Sequence, residues 1–235
     1  MAAKFLKPFK FGKDVLAFVS TRSAGNIGYH CGDHPSKVAA NRKALAKAAG
    51  FKFNRLVTAR QVHGNKVAIV TSRSAGRQVR GADALVTNSS KLCLMVRTAD
   101  CVPLLFCDPV AKVIAAAHAG WKGTAQKIAS KTVKAMRKLG SKPKDIRVGI
   151  GPSIGPCCYE VKKDVAVKFD HYICKGGSYF VDLKLENNRR LIKAGVLRRN
   201  IRASNSCTKC GPKRFFSARA GNPKGRFGTG IMLKS

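Results

Sequence analysis

The chain has 235 residues, 45% of them hydrophobic, long enough to bury a sizeable core and too apolar to stay disordered. Its 46 Lys and Arg stand against 11 Asp and Glu, a formal net charge of +35, and no run approaches the ~20 apolar residues of a membrane span. Lys4, Lys7, Lys10 and Lys13 interrupt the start with no apolar segment after them, which argues against a secretory signal and for a cytoplasmic chain. The 9 Cys are odd in number, so free thiols or metal ligands are expected rather than a complete disulfide framework.

In chain order, Val15–Ser20 reads as a first strand. Pro35 to Ala49 reads as a helix, with Pro at its start, Val38, Leu45 and Ala49 on one side, and Gly50 to end it. Short apolar or β-branched runs follow at Arg55–Ala59, Lys66–Val70, Ala84–Val86, Leu92–Arg97, Leu104–Cys107 and Val113–Ala117. A helix is expected from Thr124 to Leu139, then a strand at Arg147–Ile150, then a helix at Leu183–Ala194 closed by Gly195. Strands and helices do not alternate strictly. The expected fold is therefore a single mixed α/β domain spanning 1–235, with a mixed central sheet flanked by helices. Ser72–Arg80 and Lys209–Arg226 are the polar, glycine-containing loops where function could sit.

The charge is spread along the chain. Residues 1–78 hold 15 Lys and Arg, residues 79–157 hold 13, and residues 158–235 hold 18. No basic tail, zinc-finger, RNP or helix-turn-helix signature accompanies it, so sequence-specific nucleic-acid recognition is not indicated. Nonspecific, salt-sensitive binding of nucleic acid follows from charge alone. The helix after Trp121 shows the imbalance. Its polar face carries Lys127, Lys131, Lys134, Arg137 and Lys138 with no acid, including i,i+4 like-charge pairs that cost about 0.2–0.5 kcal/mol each. A surface recharged by design and an unusual cellular setting would both account for this.

Five His allow each to be weighed. His171 has no partner in sequence and is expected to be structural or exposed. His30 and His34 flank a turn before the first helix. His63 lies in a turn between strands, and His118 ends the buried strand Ala115-Ala116-Ala117 before Gly120. Cys101 sits in the turn between two apolar strands. Three such donors at strand ends can converge on one Zn²⁺ and leave its fourth position open, the catalytic pattern. The alternative is that each is a separately satisfied core residue. Cys207-Thr-Lys-Cys210 is one CxxC; a structural zinc site needs a second pair, which Cys157-Cys158 would supply only if folding brought them together, and it is not favoured here. Cys31, Cys93, Cys107 and Cys174 read as small buried hydrophobes.

Taken together, several segments resemble the multicopper polyphenol oxidoreductase (laccase-domain) family, also called the peptidoglycan editing factor family and described as purine nucleoside phosphorylases. They are Gly25-Asn26-Ile27-Gly28-Tyr29-His30-Cys31-Gly32-Asp33, Gln61-Val62-His63-Gly64, Gly81-Ala82-Asp83-Ala84-Leu85-Val86-Thr87 and Ala99-Asp100-Cys101-Val102-Pro103-Leu104-Leu105. Ala116-Ala117-His118-Ala119-Gly120-Trp121-Lys122-Gly123-Thr124 and Ile150-Gly151-Pro152-Ser153-Ile154-Gly155-Pro156-Cys157-Cys158-Tyr159-Glu160-Val161 follow. Last come Cys207-Thr208 and Phe215-Phe216-Ser217 with Arg219 and Gly225-Arg226. The resemblance implies a metal site of two His and one Cys, which maps onto His63, Cys101 and His118, and a pocket for a purine nucleoside and phosphate. Asn26, His30, Gln61, Arg219 and Arg226 are the expected substrate-binding residues. Two departures fall on expected pocket walls. Thr21-Arg22-Ser23-Ala24 leads almost directly into Gly25, and Ser217-Ala218-Arg219-Ala220 stands where the family has Ser-Tyr-Arg-Arg.

The family's laccase name conflicts with composition. A blue multicopper oxidase needs a His₂Cys copper plus a trinuclear cluster, more imidazoles than five His supply. Copper at the His/His/Cys site would be adventitious. The leading expectation is zinc-dependent phosphorolysis of purine nucleosides: adenosine first, then inosine, guanosine or methylthioadenosine. Water attack at C6 of adenine would add a deaminase activity. Arg219 or Arg226 would hold phosphate bidentately. Asp100, Asp33 and His30 are candidate acid/base groups. Asp100, next to Cys101, should point to the opposite face of a strand and so could be structural. A second reading is a cysteine amide hydrolase acting on peptidoglycan precursors, with Cys101 as nucleophile and His118 as its base. A third is a polyanion-binding protein with an idle pocket. The expected assembly is a monomer without membrane contact.

Overall fold

The computed structural model describes residues 4–211, 213–221 and 224–235. Positions 212, 222 and 223, within the C-terminal loop singled out from sequence, lie outside them.

The strands are β1 (Phe5–Leu6), β2 (Val15–Ser20), β3 (Leu56–Arg60), β4 (Val67–Ile69), β5 (Gln78–Arg80), β6 (Ala84–Thr87), β7 (Cys93–Thr98), β8 (Val102–Asp108) and β9 (Val113–Ala119), then β10 (Arg147–Ile150), β11 (Glu160–Val161), β12 (Ile173–Lys175), β13 (Ser178–Phe180), β14 (Ile201–Ala203) and β15 (Phe227–Leu233). The helices are α1 (Pro35–Ala49), α2 (Trp121–Ala125), α3 (Ile128–Arg137), α4 (Lys163–Ala166) and α5 (Leu183–Lys193). The mixed α/β class holds. In place of one central sheet there are two six-stranded sheets, ordered β1-β2-β15-β7-β3-β5 and β14-β10-β8-β9-β6-β4, and a small sheet β11-β13-β12. Both large sheets mix parallel and antiparallel pairs.

Period-two alternation explains the layering. On β7, Leu94 and Val96 enter the layer between the sheets, while Cys93 and Met95 face α1. On β8, Leu105 and Cys107 enter the same layer, while Leu104 and Phe106 face the side of α3 and α5. The result is a helix–sheet–sheet–helix stack, both sheets apolar on two faces, which is why their strands read as continuous apolar runs. The stack sets the site. Cys101 precedes β8 in register with Leu105 and Cys107, and His118 follows Ile114 and Ala116 on β9, so both aim toward the space between the sheets.

Helix α1 has the bounds read from sequence: Pro35 opens it, and Gly50 takes the left-handed conformation (φ 83°) that a side chain disfavours. The helix expected over Thr124–Leu139 is in fact two. Lys127 has a left-handed φ of 63° and separates α2 from α3. Side chains from elsewhere donate to carbonyls at the break: Arg190 Nε to Thr124 O at 2.8 Å, which also accepts the Lys127 amide at 2.9 Å, and Asn65 Nδ2 to Gln126 O at 3.3 Å. The Lys and Arg residues of α3's polar face are exposed. Several acids have internal structural roles. Buried Asp108 accepts the amides of Val110 and Ala111, both at 2.9 Å, Asp182 caps α5, and buried Glu186 pairs with Arg190 at 2.9 Å. Cys93 and Cys107 are buried as expected, but Cys31 is half-buried and Cys174 is exposed on short β12. His171 is exposed. No helix among the described residues is long and apolar enough to cross a membrane.

Candidate metal centre and pocket

A cavity of about 410 Å³ opens at one end of the inter-sheet layer, in the size range of small-molecule sites. His63, Cys101 and His118 lie in its wall. Their donor atoms all fall within 4.8 Å of one another, and the two imidazoles meet edge to face at 4.7 Å between centroids.

Asp83 organises the trio. Its side chain is fully buried at the start of β6. Oδ1 accepts the His63 amide at 3.0 Å and His118 Nδ1–H at 2.8 Å; Oδ2 accepts the amides of Gly64 at 2.9 Å and Val62 at 3.2 Å. One carboxylate therefore shapes the turn that carries His63 and fixes the tautomer of His118, leaving Nε2 free as a ligand. This is the carboxylate–histidine arrangement that supports metal-binding imidazoles. His63 has φ 58° and Asp100 φ 85°. Such conformations cost a non-glycine residue about 1–3 kcal/mol and persist only where surroundings impose them.

Electrostatics follows from these contacts. Burial alone would raise the Asp83 carboxyl, but bonds from His118, Gly64 and Val62 outweigh it and hold the group below the ordinary carboxylate value. Burial would also raise the Cys101 thiol; the His118 and His63 imidazoles outweigh it and pull the thiol down. For His118, burial is outweighed in turn by Cys101 and Asp83, and the imidazole is pushed up. The two opposite shifts share one cause, the contact between the Cys101 thiol and the His118 imidazole.

The donors fit a divalent metal on two grounds. Thiolate and two imidazoles suit Zn²⁺ with an open fourth position. A Cβ added at Gly120 would stand 3.1 Å from both Cys101 Sγ and His63 Nδ1, so the backbone beside the donors is bare where a side chain would crowd them.

The other expected site residues divide. His30, Gln61, Arg219 and Arg226 line the cavity. Asn26 is not among its lining residues; buried, it donates to Gly28 O and Cys31 O at 3.1 and 2.9 Å and accepts the Gly28 and Arg226 amides at 2.8 and 2.9 Å. It shapes the wall rather than facing a ligand. Gln61 lines the cavity with its amide held by the Arg97 backbone, at 2.8 and 2.9 Å. Asp100 also lines the cavity, with both oxygens engaged: Thr208 Oγ1 donates to Oδ1 at 2.6 Å and the Arg219 amide to Oδ2 at 2.8 Å. It ties the C-terminal loop to the pocket. Asp33 pairs with Lys37 at 3.1 Å and is not in the lining.

Sequence reasoning missed Arg97, Trp121 and Tyr159, which also line the cavity. Arg97 is the informative omission. It is buried, donates through Nη2 to Ala59 O at 2.7 Å, and leaves Nε without a partner. An Arg inside the apolar strand β7 was the available signal. Arg219 lies over the Tyr159 ring at 5.2 Å, and both line the same cavity as the trio.

Residues 18–234 match the family described as multi-copper polyphenol oxidoreductase laccase. The chain is 37% identical over 226 residues to a protein of Geobacillus stearothermophilus named purine nucleoside phosphorylase YlmD, covering 88% of this chain and 81% of that one. It is 35% identical over 259 residues to adenosine deaminase RL5 of an unknown prokaryotic organism, covering 97% and 99%. The crystal structure of the Bacillus licheniformis hypothetical protein YfiH superposes with a TM-score of 0.94 at 34% identity, over 99% of this chain and 97% of that one. With a match over nearly its whole length, the chain belongs to the multi-copper polyphenol oxidoreductase laccase family.

Proposed function

We propose that this chain is a zinc-dependent purine nucleoside phosphorylase. In this reading it acts on adenosine first and on inosine, guanosine or methylthioadenosine next, with adenosine deamination as a side activity. His63, Cys101 and His118 hold the metal. The observation that carries the reading is this trio, oriented by Asp83 and set in a cavity that Arg97, Arg219 and Arg226 also line. Relatives named purine nucleoside phosphorylase and adenosine deaminase support it.

A bound divalent metal would supply Lewis-acid polarisation of a substrate oxygen. The chain's own residues do the rest. The three arginines that line the cavity neutralise an incoming phosphate and fix its orientation. Trp121 and Tyr159 give the base an apolar, aromatic wall. Asp100 has a positioning role in this scheme: it accepts Thr208 Oγ1 on one oxygen and the Arg219 amide on the other, and so holds Arg219 at the pocket. His30 is exposed at the mouth and is the acid/base candidate left free to reach the departing purine.

A second reading has specific support. Cys101, His118 and Asp83 follow one another as thiol, imidazole and carboxylate, the order of groups a cysteine hydrolase uses. The test is adenosine turnover with phosphate, before and after chelation, in the wild type and His118→Ala. The proposal expects phosphate-dependent turnover that chelation abolishes, zinc restores and His118→Ala lacks. Chelator-resistant amide hydrolysis abolished by alkylating Cys101 would favour the hydrolase. Indifference to His118→Ala would leave polyanion binding.

A further inference from the structure

Four thiols outside the nucleoside site meet at one point. Cys157 and Cys158 sit in the turn after β10. Cys207 and Cys210 sit in the loop after β14. The folded chain brings the four sulfurs within 4.8 Å of one another, with Cys158 and Cys157 Sγ at 3.4 and 3.6 Å from Cys210 Sγ. A tetrahedral zinc with Zn–S bonds of ~2.3 Å needs sulfur–sulfur edges of about 3.8 Å. Four sulfurs around one centre at such spacing match a closed tetrathiolate better than a disulfide, which joins only two at ~2.05 Å.

The surrounding backbone is already arranged for thiolate charge. The Gly155 amide donates to Cys207 Sγ at 3.3 Å. The two segments run side by side, with the Thr208 amide donating to Ser153 O at 3.1 Å and a parallel bridge between Ser153 and Cys207. A Cβ at Gly155 would lie 3.3 Å from Cys157 Sγ and 3.5 Å from Cys207 Cβ, so the close approach uses glycine. Without an ion, this cluster rests on weak thiol contacts at a partly exposed place.

We propose that Cys157, Cys158, Cys207 and Cys210 form a second metal site, a structural Zn²⁺ centre separate from His63, Cys101 and His118. Binding is a ligand exchange with no oxidation: four thiols release four protons to solvent and four Zn–S bonds form. The ion joins two pieces of the pocket wall. One leads directly into Tyr159. The other holds Thr208 on Asp100, whose second oxygen holds the Arg219 amide. The site therefore fixes wall geometry and does no chemistry. Its absence would leave the proposed reaction standing.

The test is metal titration of the reduced, metal-free full chain with Co²⁺ and then Zn²⁺. The expected result is two equivalents, one with the intense sulfur-to-cobalt charge transfer of a tetrathiolate, displaced by Zn²⁺. Cys158→Ser/Cys210→Ser should bind one equivalent and lose that signature. His63→Ala/His118→Ala should also bind one, but keep it. If the cysteine variant fails to fold, the wild-type spectrum and the histidine variant decide. One equivalent in the wild type without tetrathiolate bands would overturn the proposal. So would a Cys158–Cys210 disulfide, seen by mass, in protein isolated without oxidant.

Discussion

Replacing Asp83 by Asn tests the organisation of the metal centre by exchanging one carboxylate oxygen for an NH₂ group. The carboxylate accepts four bonds, two on each oxygen. An amide offers one accepting oxygen and one donating nitrogen. With the amide oxygen toward Gly64 and Val62, the NH₂ faces the His63 amide and forces His118 Nδ1 to become an acceptor. The His118 proton then moves to Nε2, the ligand atom. In the opposite rotamer His118 is kept, but the NH₂ opposes the amides of Val62 and Gly64 and the His63 turn opens. The first orientation loses the His63 bond and leaves a weaker, neutral one to His118, and the second loses the Val62 and Gly64 bonds; at ~1.5–3 kcal/mol per bond to a charged group, about 2–6 kcal/mol of stability is at risk. Metal affinity should fall about 10–100-fold, as for other outer carboxylates. Chemical denaturation and competition with a chromophoric chelator read the two effects. Wild-type metal affinity in a folded Asp83→Asn protein would refute the claim that Asp83 sets the ligands.

Three other outcomes follow, two from the same geometry and one from the net charge. Gly120→Ala should lower metal occupancy while the chain stays folded, since its Cβ would press on Cys101 Sγ and His63 Nδ1 at 3.1 Å; metal quantification beside circular dichroism checks it, and full occupancy counts against the crowded-donor argument. In the metal-free chain Cys101 should be alkylated fast and almost independently of pH from ~8 down to ~7, where an ordinary thiol of pKa ~8.5 loses rate about tenfold per unit. Against burial, the imidazoles hold Cys101 down, whereas burial pushes Cys107 up to about 12 and Cys93 higher. Peptide mapping that found Cys101 as slow as Cys93 would contradict this. Binding of nonspecific RNA should weaken by orders of magnitude between ~50 and ~200 mM salt, because it rests on a net charge of +35; salt-independent binding would point to a dedicated interface.

The parts of this fold that were legible from sequence are those whose determinants are local. Pro35 and Gly50 bracket α1, and continuous apolar runs mark β7, β8 and β9. Strand β15 was not foreseen because Gly228 and Gly230 blank its pattern. Both glycines are needed: a Cβ would meet Ile27 at 2.5 Å in one case and Phe18 at 2.5 Å in the other. The break at Lys127 has no glycine or proline to announce it; its caps come from Asn65 and Arg190, distant in the chain. The site divides the same way. His63 and His118 could be picked because the chain has only five His, and Cys101 because it sits in the turn between two apolar strands. Asp83's four bonds, Arg97's placement and the meeting of Cys157, Cys158, Cys207 and Cys210 depend on contacts made only after folding.

The central claim is that the pocket joins a purine nucleoside to phosphate. It is tested most directly by incubating the zinc-loaded chain with adenosine, with and without inorganic phosphate, at salt high enough to suppress nonspecific binding, and identifying the products. The account predicts adenine and ribose 1-phosphate only when phosphate is present, with inosine as a minor product. No product from adenosine or from any other purine nucleoside would contradict it.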